Sequence, residues 1–273
     1  MKLLRVGDGV GRGRWAFHSR FRRCLNFFDG ETLVTVALPE LGAGPHRLVT
    51  DRLPETGEGP LTVDSGRVYF AGRCHVFSDA QIYRSRPDWG CPDPGLLSAG
   101  LGSLQRVLTD RAPAGSLVWL MGGRPPDDAG SAFDRELFRR LGEGAALLLG
   151  ADPPAGARLL RGVGRGLTPS GDDLLAGALH GWRLAQAWDG VSRESRIRAV
   201  YDESRGDNPF SATFLREARD GRVFEHLEGL VRALMSGSAG AVEAAAERLL
   251  GVGDTSGADL ATGLWLALAR NVS

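Results

Sequence analysis

Residues 162–177 read Gly-Val-Gly-Arg-Gly-Leu-Thr-Pro-Ser-Gly-Asp-Asp-Leu-Leu-Ala-Gly, and a shortened copy returns at 251–263 as Gly-Val-Gly-Asp-Thr-Ser-Gly-Ala-Asp-Leu-Ala-Thr-Gly. Ser170, Gly171, Asp173, Leu174 and Gly177 match Ser256, Gly257, Asp259, Leu260 and Gly263 at one common offset. Gly162-Val163-Gly164 matches Gly251-Val252-Gly253 once Arg165-Gly166-Leu167 is counted as an insertion. Each copy is a glycine-rich loop running into a helix start, where backbone N–H groups lack intrahelical acceptors. Two copies of such a unit are expected to face one another across a site.

The loop chemistry supports two readings. Ser170 with Asp173, and Ser256 with Asp259, fit a capping box, although Asp is shorter than the usual Glu or Gln. Thr168 is a rival N-cap, because Pro169 would then occupy the first helical position. On this reading the glycines serve close packing. Against it stand three features: alternating Gly162, Gly164 and Gly166, the adjacent Asp172 and Asp173, and the duplication. These point to a two-sided anion site built from Gly164, Arg165, Gly166, Thr168, Ser170 and Gly171 with Thr255, Ser256, Gly257 and Asp259. A third helix start at 208–213 adds Ser211 at an expected N-cap.

Asp172 and Asp173 are the candidate catalytic residues, and they conflict with the anion. Either they hold Mg²⁺ that bridges to a phosphate, or they turn away to cap their own backbones or to hold an arginine such as Arg165. On the helix, Asp173, Gly177 and His180 share a face. The second copy has Leu266 where His180 would be, which favours Gly177 as a packing residue and His180 as a core histidine.

The 273 residues suffice for one large domain or two modest ones. Formal net charge is zero, which gives no basic surplus for nucleic acid. Lys2 is the only lysine, so a Schiff-base mechanism has no other candidate. Cys24, Cys74 and Cys91 form no Cys-x-x-Cys, against a disulfide scaffold or structural zinc. With no apolar N-terminal core of a signal peptide and no long apolar window, a cytoplasmic protein without membrane partners is expected.

The first third reads as short strands, at 23–28, 33–38 and 67–70, separated by Asp29-Gly30, Gly42-Ala43-Gly44-Pro45 and Asp64-Ser65-Gly66. A Pro-rich stretch at 86–94 follows. Helical spacing then dominates, at 96–108, 132–149, from Ser170 onward, and at 191–204, 211–219, 223–235, 240–250 and 257–270. Ser116–Met121 fits a strand or an apolar connector. The expected class is α+β: a small β-barrel or sandwich module over residues 1–92, then a mostly helical domain over 93–273 carrying both loops.

No Gly-x-x-x-x-Gly-Lys-Ser/Thr, complete Gly-x-Gly-x-x-Gly, Gly-x-Ser-x-Gly or His-Glu-x-x-His is present. The 162–177 string resembles the signature of the AllH family. His18-Ser19-Arg20-Phe21 through Leu25-Asn26-Phe27, residues 44–49, 211–221 and 253–259 resemble further family segments. The resemblance implies a subunit of oxamate carbamoyltransferase, which converts carbamoyl phosphate and oxamate to oxalurate and phosphate in allantoin breakdown. It also implies partner subunits and a small anionic substrate. It assigns no catalytic residue, and the transcarbamoylase string Ser-x-Arg-Thr is missing. A non-catalytic assembly subunit and an Asp-dependent metallohydrolase are the alternatives.

Overall fold

The computed structural model describes residues 1–55, 59–125 and 131–270. It divides into two compact units. The first comprises Met1–Pro87 with Arg222–Glu228; the second comprises Asp88–Gly221 and the segment from Gly229 onward. The class is α+β, with a nine-strand curled half-barrel sheet followed by nine helices among the described residues.

The sheet is built from β1 (Leu3–Gly7), β2 (Gly13–Phe21), β3 (Cys24–Phe28), β4 (Leu33–Ala37), β5 (Arg47–Thr50), β6 (Leu61–Asp64), β7 (Arg67–Phe70), β8 (Arg73–Val76) and β9 (Ile82–Tyr83). Their order is β8-β7-β6-β2-β3-β4-β5-β1-β9. Only β4–β5 and β1–β9 are parallel. Strand β2 explains the curl. Its first residues pair with β6 and the rest with β3, with a register shift between Phe17 and Ser19. Such a shift bends the strand and increases its twist. The concave side collects Trp15, Leu25, Phe27, Val34, Leu48, Leu61 and Phe70, with Phe27 edge-on to Phe70 at 5.4 Å. Strand β7 shows why the pattern was readable: Val68 and Phe70 are buried while Arg67 and Tyr69 are exposed.

The segment Arg222–Glu228 is tied into this unit by polar contacts. Arg222 donates to Asp8 at 2.8 Å, the Ala43 amide donates to Glu225 at 2.7 Å, and the Tyr83 hydroxyl donates to Glu228 at 2.9 Å.

The second unit contains α1 (Pro94–Arg111), α2 (Ala132–Leu149), α3 (Pro153–Leu160), α4 (Ser170–Asp189), α5 (Glu194–Ser204), α6 (Pro209–Arg219), most of α7 (Glu225–Ser236), α8 (Ala239–Leu250) and α9 (Ser256–Ala269). Local caps set several starts. Asp93 accepts from the Leu96 amide, Ser131 from Asp134, Asp152 from Ala155 and Asn208 from Phe210. Ser116–Met121 resolves as a 3₁₀ helix over Leu117–Met121 rather than a strand. No described helix is long and apolar enough to cross a membrane.

Helices α4 and α9 pack on one another through matched glycines. A Cβ on Gly177 would lie 2.1 Å from the Leu260 carbonyl oxygen, and one on Gly263 would lie 2.2 Å from that of Leu174. Gly177 and Gly263 are equivalent in the repeat, and so are Leu174 and Leu260. The contact is therefore reciprocal, as an internal two-fold axis between the copies requires. Gly177 serves close helix packing, and His180 is a buried core residue.

Candidate functional site

The repeat loops share a scaffold. The Val163 amide donates to the Leu160 carbonyl and the Val252 amide to that of Leu249, each at 3.0 Å. The Gly171 amide donates to Val163 at 2.8 Å and the Gly257 amide to Val252 at 3.0 Å. A Cβ on Gly171 would meet the Leu160 oxygen at 2.1 Å, and one on Gly257 the Leu249 oxygen at 1.9 Å. These two glycines let each helix start press against the end of the preceding helix. Their amides are consumed there and do not face a ligand.

The expected capping boxes do not form. Pro169 is the N-cap of α4 and Thr255 that of α9, neither with a side-chain cap bond. The Pro169 carbonyl receives the amides of Asp172 and Asp173. Ser170 and Ser256 therefore sit inside the first turn. Thr168 lies one residue before the cap. Ser211 is likewise not a cap: Asn208 is, accepting from Phe210 and Ser211, with Pro209 at the first helical position.

The polar side chains instead bond across the repeat. Thr168 Oγ1 and Ser256 Oγ are 3.0 Å apart, joining the two loops. Thr168 also donates to Asp173 Oδ2 at 3.1 Å. Ser256 lies near enough to Asp173, and Ser170 and Thr255 near enough to Asp259, to favour each carboxylate electrostatically. Each aspartate thus looks to the serine of the other copy. Asp259 Oδ1 accepts the Leu117 amide at 2.7 Å. That anchor from the 3₁₀ helix carried no signal in the sequence.

Burial dominates the electrostatics. Asp173 is 1 % exposed and Asp259 0 %. Desolvation pushes Asp173 well above the usual carboxylate range, and the negative fields of Asp259 and Asp172 add to it, against the Ser256 and Thr168 hydroxyls. Desolvation raises Asp259 to about 6, opposed by the Leu117 amide and the hydroxyls of Ser170 and Thr255. Among the described residues, Asp173 Oδ1 and Asp259 Oδ2 are buried without a hydrogen-bond partner.

Asp172 points elsewhere. Its Oδ1 accepts the Gly162 amide at 2.8 Å, closing the loop onto the helix. Burial raises its pKa, while the Gly162 amide, Ser211 and the charge of Arg161 favour the carboxylate. Ser211 lies close enough to act electrostatically, yet its Oγ has no partner at bonding distance among the described residues. Arg165 is 77 % exposed on its side chain and pairs with Asp134 at 3.1 Å, so it holds neither aspartate. His180, also on α4, is driven by burial to a pKa of about 3 and is neutral, with Nε2 unpartnered among the described residues.

The first loop is the open one. Residues Gly164–Thr168 form a run of bends, and their amides have no acceptor among the described residues. Gly164 has φ 132°, and a Cβ there would lie 2.4 Å from the Ser170 nitrogen. Asn208 Nδ2 donates to the Leu167 carbonyl at 2.6 Å, which brings the start of α6 to the same loop. The starts of α4, α6 and α9 therefore meet at Gly164–Thr168. Asn208-Pro209 is the sequence signal that marks the third. No group of three or more His, Cys, Asp or Glu side chains is placed to hold a metal ion among the described residues.

The duplicated loop, its cross-repeat hydroxyls and its paired aspartates all fall within one stretch that a family model recognises. Residues 160–268 match the family model described as oxamate carbamoyltransferase subunit AllH. The match makes this stretch of the chain similar to the AllH family. It spans both loops and α4, α6 and α9 up to Leu268. The AllH-like segments at 211–221 and 253–259 lie inside it, whereas those at 18–27 and 44–49 lie outside. No curated protein and no solved structure matches the chain.

Proposed function

We propose that this chain is a subunit of a carbamoyl-transferring enzyme and that its helical unit binds the phosphate of carbamoyl phosphate or the carboxylate of oxamate. The observation that carries this reading is the first loop: amides of Gly164, Arg165, Gly166, Leu167 and Thr168 without acceptors, at the meeting of three helix starts. Such a nest suits a small anion. The AllH match supports the substrate class. In the reaction so implied, the amide nitrogen of oxamate attacks the carbonyl carbon of carbamoyl phosphate. A C–N bond forms, the C–O bond to phosphate breaks, phosphate leaves with the electron pair, and the nitrogen loses one proton.

The conflict between anion and aspartates eases in this arrangement. Asp172 is turned onto the Gly162 amide. Asp173 is biased toward its neutral acid. In this reading Asp172 shapes the loop, while Asp173 is the group placed to exchange a proton at the junction. The Thr168 and Ser256 hydroxyls, bonded to Asp173 and to one another, border the amides. Ser170, Gly171 and Gly257 set the helix starts, and Ser211 borders Asp172. The Asp172/Asp173 pair does not suit Mg²⁺ in this reading, since Asp172 is engaged by the Gly162 amide and Asp173 is biased toward its neutral acid.

A second reading is an assembly subunit whose chemistry belongs to partners. It is favoured by Gly171, Gly177, Gly257 and Gly263, all of which serve packing. Thermal melting of the full chain separates the two. Carbamoyl phosphate at 100 times its Kd should stabilise the fold by about 2.7 kcal/mol through linkage. No shift with either phosphate or carbamoyl phosphate would leave the assembly reading.

A further inference from the structure

Resting on that reading, we propose that Asp173 and Asp259 are specificity-determining residues, which recognise the primary amide of a small anionic substrate while the Gly164–Thr168 loop takes its charged end. Two buried carboxyl groups from equivalent positions meet where α4 and α9 begin. Each has one oxygen committed: Asp173 Oδ2 to Thr168 at 3.1 Å, Asp259 Oδ1 to the Leu117 amide at 2.7 Å. Each has one oxygen that is buried and unpartnered among the described residues. Ser116 Oγ, next to the Leu117 anchor, is buried and unpartnered as well. Buried polar atoms of this kind are costly unless something completes them.

The chemistry of the pair selects the ligand. The charges of Asp259 and Asp172 both act against ionisation of Asp173. Two neighbouring buried carboxyls disfavour one another's ionisation, which favours the neutral acid at one of them. One free oxygen is then an acceptor and the other an O–H donor. A primary amide presents the complement, an N–H donor beside a C=O acceptor. A methyl ketone or acetyl group of the same shape lacks the N–H and leaves one carboxyl oxygen unpaired.

Isothermal titration of the full chain tests this with inorganic phosphate, carbamoyl phosphate, acetyl phosphate, oxamate and pyruvate. The expected result is that carbamoyl phosphate binds at least about tenfold tighter than acetyl phosphate, and oxamate tighter than pyruvate by a similar factor, as loss of one hydrogen bond to an ionisable group requires. Asp173→Asn and Asp259→Asn, which keep the side-chain shape, should erase most of that preference and leave phosphate affinity within about threefold. Phosphate binding with equal affinity for amide and methyl analogues overturns this inference alone. Failure of phosphate and of all four organic ligands to bind overturns the anion site itself. A preference that survives both Asn variants assigns recognition to other groups and also overturns the inference. Circular dichroism confirms that each variant is folded, and the wild-type ligand comparison decides the question if one is not.

Discussion

The two copies of the loop–helix unit share a frame and differ in what the frame carries. Both tie a valine amide to the end of the preceding helix, both dock a glycine amide on that valine, and both tolerate no Cβ at that glycine. The first copy then spends Arg165-Gly166-Leu167 on a run of bends, whereas the second passes through a short turn at 251–255. Duplication thus produced a symmetric packing core with an asymmetric mouth. The lesson is that the glycines divide by function: Gly171, Gly177, Gly257 and Gly263 build the helix contacts in both copies, and Gly166 in the insertion leaves the loop open.

The largest effect should come from breaking the common frame. Gly177→Val or Gly263→Val places a branched side chain where a carbonyl oxygen already stands about 2 Å from the Cβ position. Helices α4 and α9 must then part, and a loss of about 3 kcal/mol or more is expected in urea unfolding. Gly166→Ala is the contrast. Gly166 has φ 98° but only Thr168 O within reach at 3.9 Å, so the cost is backbone strain alone, about 1–2 kcal/mol. Equal losses at the two sites would contradict the division of the glycines.

Removing Arg165-Gly166-Leu167 converts the first copy into the second. This deletion should abolish stabilisation by phosphate, worth about 2.7 kcal/mol at 100 times Kd. The fold itself should lose only about 1 kcal/mol, chiefly the Asn208 bond to Leu167. A thermal-shift comparison with and without phosphate measures both. An unchanged ligand shift would place the anion outside the first loop.

The repeat explains what could be read in the sequence and what could not. Ala132–Leu149 is a helix with the bounds its periodicity gave, because its apolar face and its Ser131 cap are local features. The pairing of the loops was legible too, since duplicated units commonly pair. The caps were misread for a physical reason. Pro169 placed before Ser170 takes the cap position with its carbonyl, which leaves Thr168 free to bond Ser256 of the other copy and Asp173 rather than to cap its own helix. Partners such as Leu117 for Asp259 and Asp134 for Arg165 are distant in sequence, and no local pattern encodes them.

The paired aspartates give a smaller, pH-dependent test of the symmetry. Asp259 has its pKa raised from 3.8 to about 6 in the fold. The native state therefore binds more protons than the unfolded chain across that window. Its contribution to stability is fully present below about pH 3.8 and is lost as pH rises through about 6. His180 acts with the opposite sign, since its folded pKa of about 3 makes stability fall as pH drops below 6.5. The difference between wild type and Asp259→Asn cancels the histidine. Melting temperatures from pH 3.5 to 7.5 should show the wild type losing ground to the variant as pH rises. A flat difference would mean that Asp259 titrates alike in both states.

The smallest effect belongs to Arg165, although it stands in the middle of the ligand loop. Among the described residues it pairs with Asp134, at 3.1 Å and with its side chain 77 % exposed. Arg165→Ala should therefore cost less than about 1 kcal/mol of stability. On binding, the same change distinguishes the two ways a loop can hold an anion. If amides do the work, affinity for phosphate falls only a few-fold and the fall shrinks with added salt, as for a distant screened charge. If the guanidinium swings in to contact the ligand, the loss reaches about tenfold or more, because a charge-assisted contact is removed. Titrations of Arg165→Ala at low and high salt decide between them. The second outcome would make the insertion a source of charge as well as of open backbone.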